Sequence, residues 1–202
     1  MKKRKIITAA VIVLLLAAAI ITFFFLRDGE FTLSVPTVTV ETPGKMSVDD
    51  RNEFSLDLRL NGQVEGMFPA ASFSISFDPA KLEFLGIDEG NIVITNPDSS
   101  SGTSLPEWSV NTERSNKTGV INIMYLDITG GKYAFSGDLL DKKDNVVLRL
   151  SFRLRGSVRA GDILELCLDD AVFAANDEAR SLSSTAKTLR TVNGRIVIGD
   201  SK

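Results

Sequence analysis

Acid–base catalysis near neutral pH most often uses histidine, and this chain has none. That removes any Ser-His-Asp arrangement and the commonest metal ligand. The one cysteine, Cys167, can form neither an internal disulfide nor a thiolate metal cage. It shares a strand phase with Glu165 and has no histidine to activate it, so it reads as structural. Asp169, Asp170, Asn176, Asp177 and Glu178 supply oxygens of the kind calcium takes. Their spacing matches no calcium-binding helix–loop–helix, because the turn glycine is missing and the apolar run 171–175 interrupts them. A solvated loop is the expected reading. Paired carboxylates can cut a glycosidic bond, but none here stands out by spacing or flanking glycines. We therefore expect no catalytic residue, no metal and no cofactor.

Binding chemistry is better supplied. In the run Ile121–Leu126, alternation puts Ile121, Ile123 and Tyr125 on one side and Asn122, Met124 and Leu126 on the other. If the first set faces a core, Met124 and Leu126 stand on a wet surface, as partner-binding residues do. Stacking on sugars needs a row of exposed aromatics. Trp108, Tyr125 and Tyr133 make no obvious row, so attachment to polysaccharide is an alternative rather than the first reading. Arg149, Arg153 and Arg155 form a basic stripe, expected to be solvated with charge partners such as Glu165.

The elements that must carry these residues are strands. Phe54, Leu56, Leu58 and Leu60 alternate with polar residues, as do Phe73, Ile75 and Phe77, then Leu148, Leu150, Phe152 and Leu154, and Leu164, Leu166 and Leu168. Period two marks strands with one buried face. Pro43-Gly44, Asn61-Gly62, Asp78-Pro79, Gly130-Gly131, Gly161-Asp162 and Asn193-Gly194 separate the runs. Strands are expected near 35–41, 53–60, 70–77, 82–86, 91–95, 107–112, 119–127, 145–155, 162–169, 171–175 and 189–198. Some of these must merge, leaving eight or nine. No helical pattern shows within this part of the chain, and the expected fold is all-β, an antiparallel β-sandwich over residues 35–200.

The start of the chain is a different polymer. Residues 1–5 are basic, and residues 6–26 carry no charge over 21 positions. As a helix that run is about 31 Å long, close to the hydrocarbon thickness of a bilayer. It is longer than a cleavable leader's apolar core, so an uncleaved transmembrane signal anchor is expected, followed by a linker over 27–34. Basic residues before the span place the N-terminus in the cytoplasm and the domain outside the cell. Residues 27–202 carry 19 Lys and Arg against 26 Asp and Glu, net −7. This acidic balance argues against nucleic-acid binding.

Four strings in order resemble the cohesin family, the dockerin-binding receptor modules of cellulosomes. They are ASFSISFDPAKLEFLGIDEGNIVI (71–94), GVINIMYLDITGG (119–131), VVLRLSFRLRGSVRAGDILELCLDDAVFAAND (146–177) and TVNGRIVIGD (191–200). The resemblance implies a nine-stranded jelly-roll sandwich that catalyses nothing and binds another protein on one sheet face. It puts that face on residues 70–77, 107–112, 119–127 and part of 170–180. The residues implied for partner binding are Ser72, Ser74, Trp108, Asn122, Met124, Leu126 and Asp127, with Asn176 and Asp177 at the rim. Where many dockerin-binding members carry an Asn/Asp pair, this chain has Ala70 and Ser72. The sequon Asn116-Lys117-Thr118 is treated as chance, since the resemblance points to a bacterium. The expectation is a membrane-anchored extracellular module that binds a dockerin-like or other surface protein. The alternatives are a carbohydrate-binding module and a structural subunit of a surface or secretion assembly.

Overall fold

The structure, a computed structural model, describes residues 35–50, 52–62, 66–92, 108–136, 145–185 and 188–200. The expected anchor and linker lie outside the described residues. Among the described residues no helix is long and apolar enough to cross a membrane.

The alternating runs become strands in two sheets. One contains β1 (Thr37–Glu41), β3 (Phe54–Asn61), β6 (Leu82–Glu89), β10 (Val146–Leu154) and β13 (Arg190–Val192), in the order β13-β1-β3-β10-β6. The other contains β2 (Lys45–Ser47), β5 (Ala70–Ser76), β7 (Trp108–Val110), β8 (Val120–Leu126), β11 (Ile163–Ala174) and β14 (Gly194–Gly199), in the order β2-β14-β11-β5-β8-β7, with β12 (Leu182–Ser183) paired to β11. A two-stranded ribbon, β4 (Met67–Phe68) with β9 (Phe135–Ser136), closes one end. Inward side chains of both sheets merge into a single core. Leu56, Leu58, Leu150 and Phe152 from the first meet Phe73, Ile75, Ile121 and Phe173 from the second. Phe77, just past β5, meets Phe152 edge-on at 5.6 Å and ties the layers together.

The sandwich is not purely antiparallel. β1 pairs with β13 in parallel, and β2 pairs with β14 in parallel. The chain changes sheets at Pro43-Gly44 near its start and at Asn193-Gly194 near its end, so these two strand pairs run side by side across both layers. A side chain at residue 194 would meet Thr42 Cγ2 at 2.7 Å and Val40 Cγ1 at 2.8 Å, and only glycine permits this crossing. The expected strand 189–198 is therefore two strands in different sheets. The two expected at 162–169 and 171–175 are one, β11, with a bulge between Leu168 and Asp170 that resets its phase. Of the expected strand 91–95, Asn91 and Ile92 form a bend and the rest lies outside the described residues.

Among the described residues an α-helix, α1 (Thr112–Thr118), follows β7, against the expectation of no helix in the domain. Asn111 caps it by accepting from Arg114 N at 2.8 Å, and Gly119 ends it in the left-handed region at φ 73°. Its Asn116 replaces a missing strand at the β6 edge. The amide oxygen accepts Phe84 N at 2.8 Å and the amide nitrogen donates to Phe84 O at 2.7 Å. An edge strand is thereby covered instead of left as a template for pairing. Asn116→Ala leaves both Phe84 backbone groups unpaired and is expected to cost about 1–3 kcal/mol, read as a lower urea midpoint. An unchanged midpoint would mean that water replaces the amide at no cost.

The basic stripe lies on the outer face of the first sheet. Arg149 Nε reaches Asp57 at 3.4 Å and Arg153 reaches Glu83 at 3.7 Å, both across strands. The expected partner Glu165 lies in the other sheet, on β11, so it does not serve.

Candidate functional site

The candidate site is the outer face of the second sheet, where β11, β5, β8 and β7 lie side by side. Register fixes which residues stand in line. Ser72 is opposite Met124, Ser74 opposite Asn122 and Ala70 opposite Leu126. On the flanks, Val172 is opposite Ser72, Asp170 opposite Ser74 and Ser109 opposite Met124. Met124 thus stands between two serines, and neither is long enough to cover it. It is 62% exposed and Leu126 54%. The surface beside Met124 is a groove of about 510 Å³, with Ser74 and Asn122 in it, Arg114 of α1 at one side and Asp170 at the other. Asp170 is held by Ser184 Oγ, which donates to its carboxylate at 3.0 Å.

The structure brings together Ser72, Ser74, Asn122, Met124 and Leu126, on one side of two paired strands. Asn176 and Asp177 lie beyond the end of β11, exposed. Asp177 caps a short 3-10 turn by accepting Ala179 N at 3.0 Å, with Arg180 Nε 3.8 Å from its carboxylate.

Trp108 and Asp127 do not lie on this face. Trp108 is directly opposite the buried Tyr125, so the pleat points both inward. Its ring lies 4.9 Å from Tyr125 and 6.1 Å from both Phe73 and Phe135, packed against the core. As placed it is no platform for a sugar ring. Asp127 is 6% exposed and organises its own loop, residues 127–133. Its carboxylate accepts Thr129 N at 2.8 Å, Thr129 Oγ1 at 2.6 Å and Tyr133 N at 3.1 Å. Burial opposes its charge, but the bonds from Thr129, Tyr133 and Gly131 prevail and hold its carboxyl below the usual carboxylate range. Desolvation, with the Asp127 charge second, pushes the neighbouring Tyr125 phenol far up, and its hydroxyl donates to Tyr133 O.

A pH dependence follows. The folded-state pKa of Asp127 lies below its unfolded value, so its stabilisation is complete above the unfolded value, about 3.9, and is lost as pH falls through the folded one. Asp162, lowered by a backbone bond from Arg159 and by Lys81, acts in the same direction. Asp127→Asn is expected to flatten the acid limb of stability without abolishing it, in urea midpoints measured between about pH 5 and pH 2. An acid limb as steep as that of the unsubstituted chain would show that Asp127 is not the titrating group.

Ser109, Val172 and Asp170 lie in segments that the resemblance assigns to this face but were not named as contacts, and Arg114 lies outside those segments. Alternation with Trp108 and Val110 points Ser109 outward. Asp170 and Val172 become legible only once the β11 bulge is known.

Comparison with known proteins bears on the fold and the family. The cohesin-domain family matches residues 33–194, more than half of the chain. No curated protein sequence matches it. Among solved structures, it is similar to the seventh ScaB type I cohesin of Pseudobacteroides cellulosolvens, at 15% identity and TM-score 0.60, over 83% of this chain and 94% of that one. The OlpA cohesin of Clostridium thermocellum, solved in a type I cohesin–dockerin complex, is similar at 18% identity and TM-score 0.58, over 82% and 99%. A non-cellulosomal cohesin of the archaeon Archaeoglobus fulgidus follows at 14% identity and TM-score 0.52, over 82% and 91%. With the family matched along most of its length and the sandwich shared with these structures, the chain belongs to the cohesin family.

Proposed function

We propose that this chain is a membrane-anchored receptor module on the cell surface. Residues 6–26 hold it in the membrane, and the outer face of β5 and β8 captures a protein of the dockerin class. The observation that carries this reading is a pair of large apolar side chains on an exposed sheet face, Met124 between Ser72 and Ser109 and Leu126 opposite Ala70. Such a surface offers a desolvated centre with hydroxyl and amide groups around it, the anatomy of a protein interface. The OlpA cohesin was solved with a dockerin, which supports this class of partner.

The test uses the full chain in detergent, immobilised and exposed to purified type I dockerins with and without calcium. Saturable binding is expected, dependent on calcium because the cohesin resemblance implies dockerins that are calcium-loaded modules. If no dockerin binds, and no surface protein from the same cells is retained, the receptor reading fails. Placement is tested separately by adding protease to intact cells. A domain cut only after lysis would overturn the extracellular assignment.

A further inference from the structure

Four of the exposed large apolar side chains among the described residues, Val35, Met67, Leu126 and Ile128, lie at one end of the sandwich. Thr37 of β1 lies opposite Asn61, the last residue of β3, so β1 begins where β3 ends. From there residues 62–69 lead to β5, whose Ala70 lies opposite Leu126, the last residue of β8. The point where the chain enters the domain, the β4–β9 ribbon and the loop 127–133 therefore share one end. At that end Ile128 is 64% exposed, Met67 48% and Val35 42%. Met67 packs on the loop, since a Cβ at Gly131 would meet its Sδ at 2.5 Å. Asp127 N donates to Pro69 O at 2.6 Å and joins the loop to the start of β5. Ile128 is thus carried on a loop pinned from within by Asp127, not on a free tip.

We propose that this end of the domain, with Ile128 and Met67 foremost, docks into the headgroup region of the lipid bilayer. The inference rests on the anchor reading above. Val35 is preceded by a linker of only eight residues, 27–34, after the uncharged run 6–26. Fully extended, that linker reaches at most about 28 Å. The end at which the chain enters can therefore lie no farther than about 28 Å from the end of the uncharged run. Rigid apolar side chains held at that distance meet the acyl boundary at high effective concentration, where insertion removes them from water. Lys132, exposed on the same loop, is suited to a headgroup phosphate, and with Arg180 beside Asp177 and Glu178 beyond β11 the charges at this end are balanced and favour no strongly anionic surface. Neutral phosphatidylcholine is accordingly the expected lipid.

The full chain, with Cys167→Ser as background, is labelled with an environment-sensitive dye at Ile128→Cys, at Met67→Cys or, at the opposite end, at Ile163→Cys. Each is reconstituted into phosphatidylcholine vesicles carrying a spin-labelled lipid. Dyes at 128 and 67 are expected to lose roughly half their emission, as fits a group ~5–10 Å into the interface, while the dye at 163 is unaffected. Vesicle flotation with no quenching at 128 and 67, or with equal quenching at all three positions, overturns docking and leaves the anchor intact. Failure to float sinks the anchor and docking together. Self-quenching at 128 that vanishes on mixing with unlabelled chain would assign the patch to a second copy and overturn lipid docking.

Discussion

Replacing Met124 and Leu126 together by aspartate is expected to abolish dockerin capture while the sandwich stays folded. Both side chains are more than half exposed, so little core packing is lost. The cost to the sheet is limited to the lower strand propensity of aspartate, about 1 kcal/mol or less per site. The effect on binding is far larger. Apolar residues at the centre of an interface commonly contribute 2 kcal/mol or more each, so the pair is worth about 4 kcal/mol, roughly a thousandfold in Kd. Aspartates placed there would also have to be desolvated by the partner. The measurement is dockerin titration on the full chain, with the thermal transition followed in parallel. Met124→Ser separates the two effects further, because it makes the centre of the row resemble its neighbours Ser72 and Ser109. Undiminished capture by the aspartate pair would remove this face from consideration. A matched substitution on the other sheet, Arg153→Asp, is expected to leave capture unchanged, since its side chain pairs with Glu83 on the far layer.

Much of this was legible in the sequence because period two is a strong signal where one face is buried. The run Ile121–Leu126 alternates in burial as its residue types alternate, and the same holds along β3 and β5. What escaped is local geometry that alternation does not encode. In β11 the bulge after Leu168 moves the buried phase from even positions, Leu164 to Leu168, to odd ones, Ala171 and Phe173. Two short strands were the natural reading of that switch. α1 escaped because its only buried residue is Ser115, so it has no apolar stripe. Its signals were a capping Asn111 and a terminating Gly119, which are weak without periodicity.

The site residues divide on the same principle. Ser72, Ser74, Asn122, Met124 and Leu126 sit in strands long enough for register to fix their direction. Trp108 sits in a three-residue strand, where too few neighbours show the phase, and its direction follows only from its pairing with Tyr125. Asp127 could have been placed inward by extending the β8 alternation one step beyond Leu126. An inward carboxylate is expensive unless donors surround it, and those donors, Thr129 and Tyr133, come from the turn that Gly130 and Gly131 permit.

The converse substitution lies one layer beneath the face. Phe173→Ala is expected to destabilise the domain by about 3–5 kcal/mol, the usual cost of emptying a buried aromatic site. Phe173 is 1% exposed and meets Phe68, Phe73 and Phe135 edge-on, at 6.3, 5.5 and 5.3 Å. It joins β4, β5, β9 and β11 in one aromatic cluster that extends to Trp108 and Tyr125. Set against a typical total of 5–15 kcal/mol, the loss is a large fraction of the stability. At roughly 2–4 °C per kcal/mol for a chain this size, the thermal midpoint should fall by about 6–20 °C. Phe173→Leu retains most of the volume and is expected to recover a large part of the loss. A midpoint within a degree or two of the original would show that the cluster collapses around the vacancy. Below its midpoint the alanine variant should still bind the partner, because Met124 and Leu126 project from the opposite side of the same sheet. In the proposed function, stability and recognition are carried on alternate sides of shared strands. The aspartate pair and the alanine substitution should move one property each, and a variant that moved both equally would mean that the face is held in shape by that cluster alone.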